Sequence, residues 1–358
     1  MSNRIAEILA AESIATAGTK TLDLNINDPI SRLTVQLRLT NNNSVPTAHP
    51  ATAISKIEVV DGSDLIFSLS GKEVQALNFY DKGFLPFAFT SSENNILSTV
   101  ELHLDFGRFL WDPTLALDPN RFNNIQIKIT HDLVTGGSTP DAGTIAVIAH
   151  TFSSGSVHPG GFLMSKRVYS YALAASGQER IVLPSDFAYR KILFGSLSAG
   201  NSPTSQLSKI TLSVDNDRQV LINNMSVADI TKMIAPAMVM DRFIGFGSGS
   251  AITYFIVPTY EQNTVIGPMG SALAATVTVN QGSGGTISVL NDSSEAFQGS
   301  SIGYAPHGLI AVPQGDQMNA ADWLQTSQAG SIVLKLTGGS SVGSGSTAEV
   351  ILQQHRTY

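Results

Sequence analysis

The sequence of 358 residues contains no cysteine. That excludes disulfide frameworks, thiolate metal centres and cysteine nucleophiles together. Charge is scarce as well: Asp, Glu, Lys and Arg make up 14% of the chain, against roughly 25% in an average globular protein. The balance is acidic, with a formal net charge of −7, and no lysine or arginine occurs between Arg242 and Lys335. A protein that displaces counterions from nucleic acid needs clustered cations, so no direct nucleic-acid binding is expected. The two tryptophans, Trp111 and Trp323, are too few for a sugar-stacking platform. Long apolar runs are missing too. The uncharged stretch from Phe243 to Tyr260 is broken by glycines, serines, threonines and a proline, which suits alternating strands better than a membrane-spanning helix. Met1 to Gly18 has no continuous apolar block, so no secretory signal is expected.

What the chain does have is apolar and small neutral residues. Hydrophobic residues are 42% of the total and there are 31 glycines. This is enough apolar mass for a substantial core. It goes with a neutral surface that can be buried against further copies without desolvating many ions. At the N-terminus Arg4, Ile5, Ile8, Leu9 and Ile14 have helical spacing, which predicts a short amphipathic helix or arm over residues 4–16. From there on, period-two runs dominate: Thr21–Asn27, Leu33–Leu39, Lys56–Val60, Leu65–Leu69, Val100–Phe106, Ile125–Thr130 and Ile145–Ala149. Gly, Asn, Asp and Pro separate them, as in an antiparallel sandwich or barrel.

The chain also repeats itself. SKIEVVDGSDLIFSLSGKEVQAL near residue 56 returns near residue 209 as SKITLSVDNDRQVLINNMSVADITKM. Both read strand, Val-Asp turn, strand, helix start. Ser70 with Glu73, and Ser226 with Asp229, have capping-box spacing. Leu69 with Val74, and Met225 with Ile230, are placed as hydrophobic staples. Arg32-Leu33 resembles the start of Tyr189–Leu193. Ile125–Thr130 matches Ile332–Thr337, and glycine turns follow both. The last strands close on His150-Thr151-Phe152 and His355-Arg356-Thr357-Tyr358, and each tryptophan precedes the penultimate strand of its copy as a packing residue. Tandem duplication of one β domain follows. The expected division is an arm over 1–19, a first β domain over 20–152, a linker over 153–165, and a second domain over 166–358. The second domain carries an insert at about 243–307, expected to project into solvent as a loop or tower.

Motifs for chemistry are weak. Gly299–Gly303 and Gly339–Gly343 match G-x-S-x-G, but no helix pattern follows either, as a nucleophile elbow requires. Asp215-Asn216-Asp217 lacks the rest of a calcium loop and reads as a hairpin turn. The seven histidines, His49, His103, His131, His150, His158, His307 and His355, show no metal-binding spacing. No catalytic, cofactor-binding or metal residue is nominated, and no cofactor is expected. Asn42, Asn224 and Asn291 are Asn-x-Ser sites of consequence only for a secreted protein.

Two consecutive β domains, each with a helix after its second hairpin, resemble the double jelly-roll major capsid proteins of tailless icosahedral viruses, above all lipid-containing bacteriophages. Glu179–Pro184, Phe187–Leu193 and Gly308–Pro313 carry the likeness most clearly. The resemblance implies an all-β fold of two tandem eight-stranded antiparallel jelly rolls with short helices. It implies a non-enzymatic protein that self-assembles as pseudo-hexameric homotrimers into a virion shell after synthesis in the host cytoplasm. Its implied partners are neighbouring trimers, penton and minor capsid proteins, and an internal lipid membrane met through the N-terminal arm. The alternative is a trimeric viral spike or carbohydrate-binding β protein, which would show exposed aromatics on the insert, drawn from Tyr254, Phe255, Tyr260, Phe297 and Tyr304.

Overall fold

The computed structural model describes residues 3–153, 155, 157–247, 249–269, 277–281, 284–291, 295–327 and 329–358. The first half comprises β1 (Asn3–Ser13), β2 (Ala17–Asp23), β3 (Ile30–Asn41), β4 (Ile54–Asp61), β5 (Asp64–Leu69), β6 (Ala88–Ser91), β7 (Leu97–Asp105), β8 (Ile125–Asp132) and β9 (Pro140–Phe152), with helix α1 (Gly71–Lys82) between β5 and β6. One layer is ordered β1-β9-β3-β7-β6 and the other β2-β8-β4-β5. Alternation places the core: along β8 every second residue is buried, beginning at Ile125. Val35, Leu37, Ile57, Ile127 and Val147 meet between the layers.

The second half repeats the plan with β10 (Gly161–Ala172), β11 (Gln178–Leu183), β12 (Ala188–Gly195), β13 (Leu207–Val214) and β14 (Gln219–Ser226). The short turn α2 (Pro203–Gln206) precedes β13, and helix α3 (Val227–Ile234) follows β14. Beyond the insert, built of β15 (Val239–Phe246), β16 (Ala251–Phe255), β17 (Tyr260–Pro268), β18 (Val277–Gln281), β19 (Thr286–Asn291) and β20 (Ala296–Tyr304), come β21 (Leu309–Pro313), β22 (Ile332–Gly338) and β23 (Thr347–Thr357). The layers are β10-β23-β12-β21 and β11-β22-β13-β14. With the short β6 and the insert β15–β20 set aside, each half has eight strands and they pair alike in chain order: first with last, last with third, third with sixth; second with penultimate, penultimate with fourth, fourth with fifth. The repetition reaches side chains. Trp111 lies edge-on to His150 at 5.9 Å between ring centroids, and Trp323 to His355 at 5.6 Å.

The helix expected over residues 4–16 is instead strand β1, paired antiparallel with β9. Its apolar residues have helical spacing, but β9 offers an open edge whose backbone groups must be satisfied, and that decides the conformation. The insert does not simply project into solvent. β15 runs parallel to β6, pairing Phe243 with Thr90 and Ile244 with Ser91, so the first layer of the first half continues through β15-β20-β17. In the insert Gly245 pairs with Phe297 and Phe243 with Gly299. A Cβ on either glycine would fall 2.1–2.2 Å from the opposing ring, so each phenylalanine lies over a glycine of the neighbouring strand. The hairpin expected from Ala275 to Leu290 appears as β18–β19; Ala275, Thr276, Gly282 and Ser283 lie outside the described residues.

The two helix starts differ. Ser70 caps α1, and the Glu73 carboxylate accepts the Ser70 N–H at 2.6 Å, completing the box. Ser226 makes no side-chain cap on α3, where the partner three residues on is an aspartate, one methylene shorter. Ser70→Ala should therefore cost about 1 kcal/mol and Ser226→Ala a few tenths. Urea denaturation of both variants checks this; equal losses would contradict the asymmetry.

Candidate assembly interface

The halves are joined edge to edge. β5, the outer strand of one layer of the first half, runs parallel to β10, the outer strand of the second half, pairing Phe67 with Ser165 and Ser68 with Lys166. An eight-stranded sheet results, β2-β8-β4-β5-β10-β23-β12-β21. Burial follows: Ile66, Phe67, Ser68 and Leu69 are buried, as are Phe162, Leu163, Met164 and Ser165.

Charged groups fasten this junction from three places. At the turn of the β4–β5 hairpin, Asp64 takes both guanidinium nitrogens of Arg356, at 2.8 and 2.6 Å. At the start of α1, Arg167 donates to both oxygens of Glu73, at 2.7 and 2.8 Å. At the end of α1, Asp81 sits buried between Arg190, at 2.6 Å, and Lys191. Gln353 donates to its other oxygen at 2.9 Å, and Arg190 lies over Trp323. Burial alone would raise the Asp81 carboxyl, but the charges of Lys191 and Arg190, with hydrogen bonds from Lys191 and Gln353, outweigh it and hold the group well below the usual carboxylate range. Burial, with Arg190 beside it, pulls the Lys191 ammonium down to about 8 despite Asp81.

The counterparts of the joined strands are each the outermost strand of a sheet. β14 corresponds to β5, yet it is an outermost strand with Val220 and Leu221 exposed (43% and 38%). β1 corresponds to β10, yet it too is outermost, with Ile5 66% exposed. Two irregularities in the β13–β14 register leave Leu221, Asn223 and Asn224 without direct partners. Such bulges break a continuous ladder, so contact at this edge falls to side chains. A further apolar surface flanks the β6–β15 seam, where Phe84, Phe87, Phe89, Met238 and Met240 are all exposed. Contiguous exposed apolar groups of this kind mark interaction surfaces.

The weak chemical motifs resolve into structure. Gly299–Gly303 lies within β20, and Ser301 is buried and bonded to Thr264 at 2.6 Å. Gly339–Gly343 lies in the turn before β23. Asp215, Asn216 and Asp217 all adopt positive φ in the β13–β14 turn. Asp215 accepts from the Gly330 N–H, and Asp217 from Ser213 and Lys335, so both carboxylates are engaged as hairpin braces. Among the described residues no three His, Asp or Glu come together as a metal site, and no helix is long and apolar enough to cross a membrane. The aromatics of the insert do not form an exposed platform: Phe243, Tyr254 and Phe297 pack on one another in its core.

Against solved structures, the major capsid protein of bacteriophage PM2 aligns at 10% identity and a TM-score of 0.56, covering 100% of this chain and 98% of that one. The major capsid protein of Sulfolobus turreted icosahedral virus gives 10% identity and 0.60, covering 100% and 97%. VP54 of PBCV-1 gives 10% and 0.56, covering 99% and 94%. The chain is a double jelly roll. No family model and no curated protein sequence matches it. In this double jelly roll the repeat read from the sequence is the pair of barrels itself. The buried ions that tie the barrels had no distinguishing pattern in the sequence.

Proposed function

We propose that this double jelly roll is a major capsid protein. It self-assembles as homotrimers, and the trimers tile an icosahedral virion shell together with penton and minor capsid proteins. Its role is structural and not enzymatic. The chain divides into a first barrel ending at Phe152, a linker, and a second barrel running to Tyr358 that carries the insert.

One observation supports this above the others. The contact that joins β5 to β10 inside the chain has an unused copy of each partner, β14 and β1, each the outermost strand of its sheet. Seating the β1 of a second molecule against β14 repeats the arrangement of the internal junction between molecules, with side chains in place of a continuous ladder. Such a contact is heterologous and closes into a ring when the rotation allows; three chains then present six similar barrels. Low charge favours burial of these edges. Multi-angle light scattering of the purified protein tests the reading: three times the 37.9 kDa chain mass is expected. A monomer that persists at high concentration would overturn it. Electron microscopy of the same preparation then reports whether trimers form shells.

A further inference from the structure

Where both barrels and the insert meet lies a cavity of about 140 Å³, some ten times the roughly 10–15 Å³ that admits one water. Its polar lining is rich in donors. His49 and Lys72 come from the first barrel, Ser198 from the second, and His307 from the end of the insert. No carboxylate lines it among the described residues.

The proton inventory can be followed atom by atom. His49 Nδ1 accepts the Ala51 N–H at 3.2 Å, so the neutral ring carries its proton on Nε2. That Nε2 is buried and meets no acceptor in the protein, on a side chain 4% exposed. The two histidine rings face one another edge-on at 4.9 Å. His307 Nε2 is bonded to Gln75 Oε1 at 2.7 Å, which leaves the buried Gln75 amide nitrogen without an acceptor as well. Lys72 Nζ donates to the Leu197 carbonyl at 2.7 Å, one of its three N–H groups. Its neighbour Glu73 is already committed to Ser70 and Arg167. Burial lowers the His49 ring to about 3, with Lys72 adding to the effect, and lowers His307 well below its ordinary value. Buried donors without acceptors are costly, and an anion is the guest that satisfies several at once. Thr52, Lys72, Leu197 and Ser198 also line a neighbouring open cleft between the barrels, which provides access.

We propose that this cavity binds a small oxyanion of the phosphate or sulfate class through Lys72 Nζ and His49 Nε2, and so locks both barrels and the insert together. The site does not depend on the shell-forming role. The test is calorimetric titration of the whole protein with inorganic phosphate at constant ionic strength. One saturable site per chain is expected, weakened about tenfold or more in Lys72→Met, since a charge-assisted hydrogen bond is lost. A second readout needs no variant: phosphate should shift the ring-nitrogen resonances of His49 in the wild-type protein, and equal chloride should not. Absence of both heat and shift, an equal shift with chloride, or undiminished binding by a folded Lys72→Met protein would each overturn the assignment.

Discussion

The double variant Val220→Asp/Leu221→Asp should run as single 37.9 kDa chains under conditions where the wild type is expected to run as trimers. Both side chains are exposed at the outer edge of β14, so the isolated fold loses little. Surface changes of this kind usually stay within about 0.5 kcal/mol each. Assembly loses much more. Two apolar contacts of an interface core are replaced by charges that would be desolvated on docking. At about 2 kcal/mol or more for each such residue, association weakens on the order of a thousandfold. Charges on an edge strand are also the common natural device against unwanted pairing.

A control separates this edge from general surface charge. Val182, on β11 at the opposite edge of the same sheet, is 60% exposed, and Val182→Asp should leave the trimer intact. The reciprocal change, Ile5→Asp on β1, should break assembly from the other side. Mixing the β14 and β1 variants should give at most open dimers, because each retains one sound edge. Light scattering reads all four cases. A trimeric β14 double variant would show that the internal junction is not what the molecules repeat.

The duplication was legible because it rests on local chemistry. Val60-Asp61-Gly62 and Val214-Asp215-Asn216 require turns, and Gly62, Asp215 and Asn216 do adopt positive φ. The Ser70–Glu73 box marks a helix start within a few residues. Even the matched Trp and His residues of the two copies turn out to be matched contacts. Strand β1 was misread because its pattern reports little burial: most of its residues are exposed. A strand on a sheet's rim has no buried face to impose period two, and chance placement of Ile5, Ile8 and Leu9 then mimics a helix.

The junction was much less legible. Nothing in the sequence sets Asp64 and Asp81 apart from other acids in the same half, and the box that marks Glu73 says nothing of Arg167; the partners lie 94 to 292 residues away. Such pairs are created by the docking of one barrel on another. The insert's attachment was hidden for the same reason. β6 is four residues long, too short for its alternation to stand out, yet it is the strand that receives β15. The donor-lined cavity draws on six separate stretches of chain, and its histidines have no spacing that would single them out.

Asp81→Asn should be the most damaging single substitution at the junction. It leaves Arg190 and Lys191, 2% and 3% exposed, without their shared carboxylate. Removing one partner of a buried pair costs about 3–5 kcal/mol, because the remaining charge is uncompensated. Lys191 should then carry most of the loss, since Arg190 keeps bonds to Gln353 and the Gln317 carbonyl while Lys191 keeps the Tyr80 carbonyl alone. Adding Lys191→Met to Asp81→Asn should recover part of it, a coupling that a double-mutant cycle measures. The pH dependence has a definite sign. A carboxyl whose folded pKa is depressed contributes stability that is present above its unfolded value, near 3.9, and lost as pH falls through the folded value. Wild type should thus lose this contribution below about pH 4, and Asp81→Asn should lack that step. Lys191 acts in the other window. Its folded pKa near 8 lies below the unfolded value near 10.4, so the unfolded chain binds more protons between them and stability rises with pH there. Without Asp81 to support its charge, Lys191 should release its proton at still lower pH, so Asp81→Asn should regain stability already between about pH 7 and 8, where wild type changes little. Urea unfolding of both proteins from pH 3 to 10 distinguishes the outcomes: a loss below about 1 kcal/mol at pH 7, or parallel pH profiles, would mean that the network adds little to holding the barrels together.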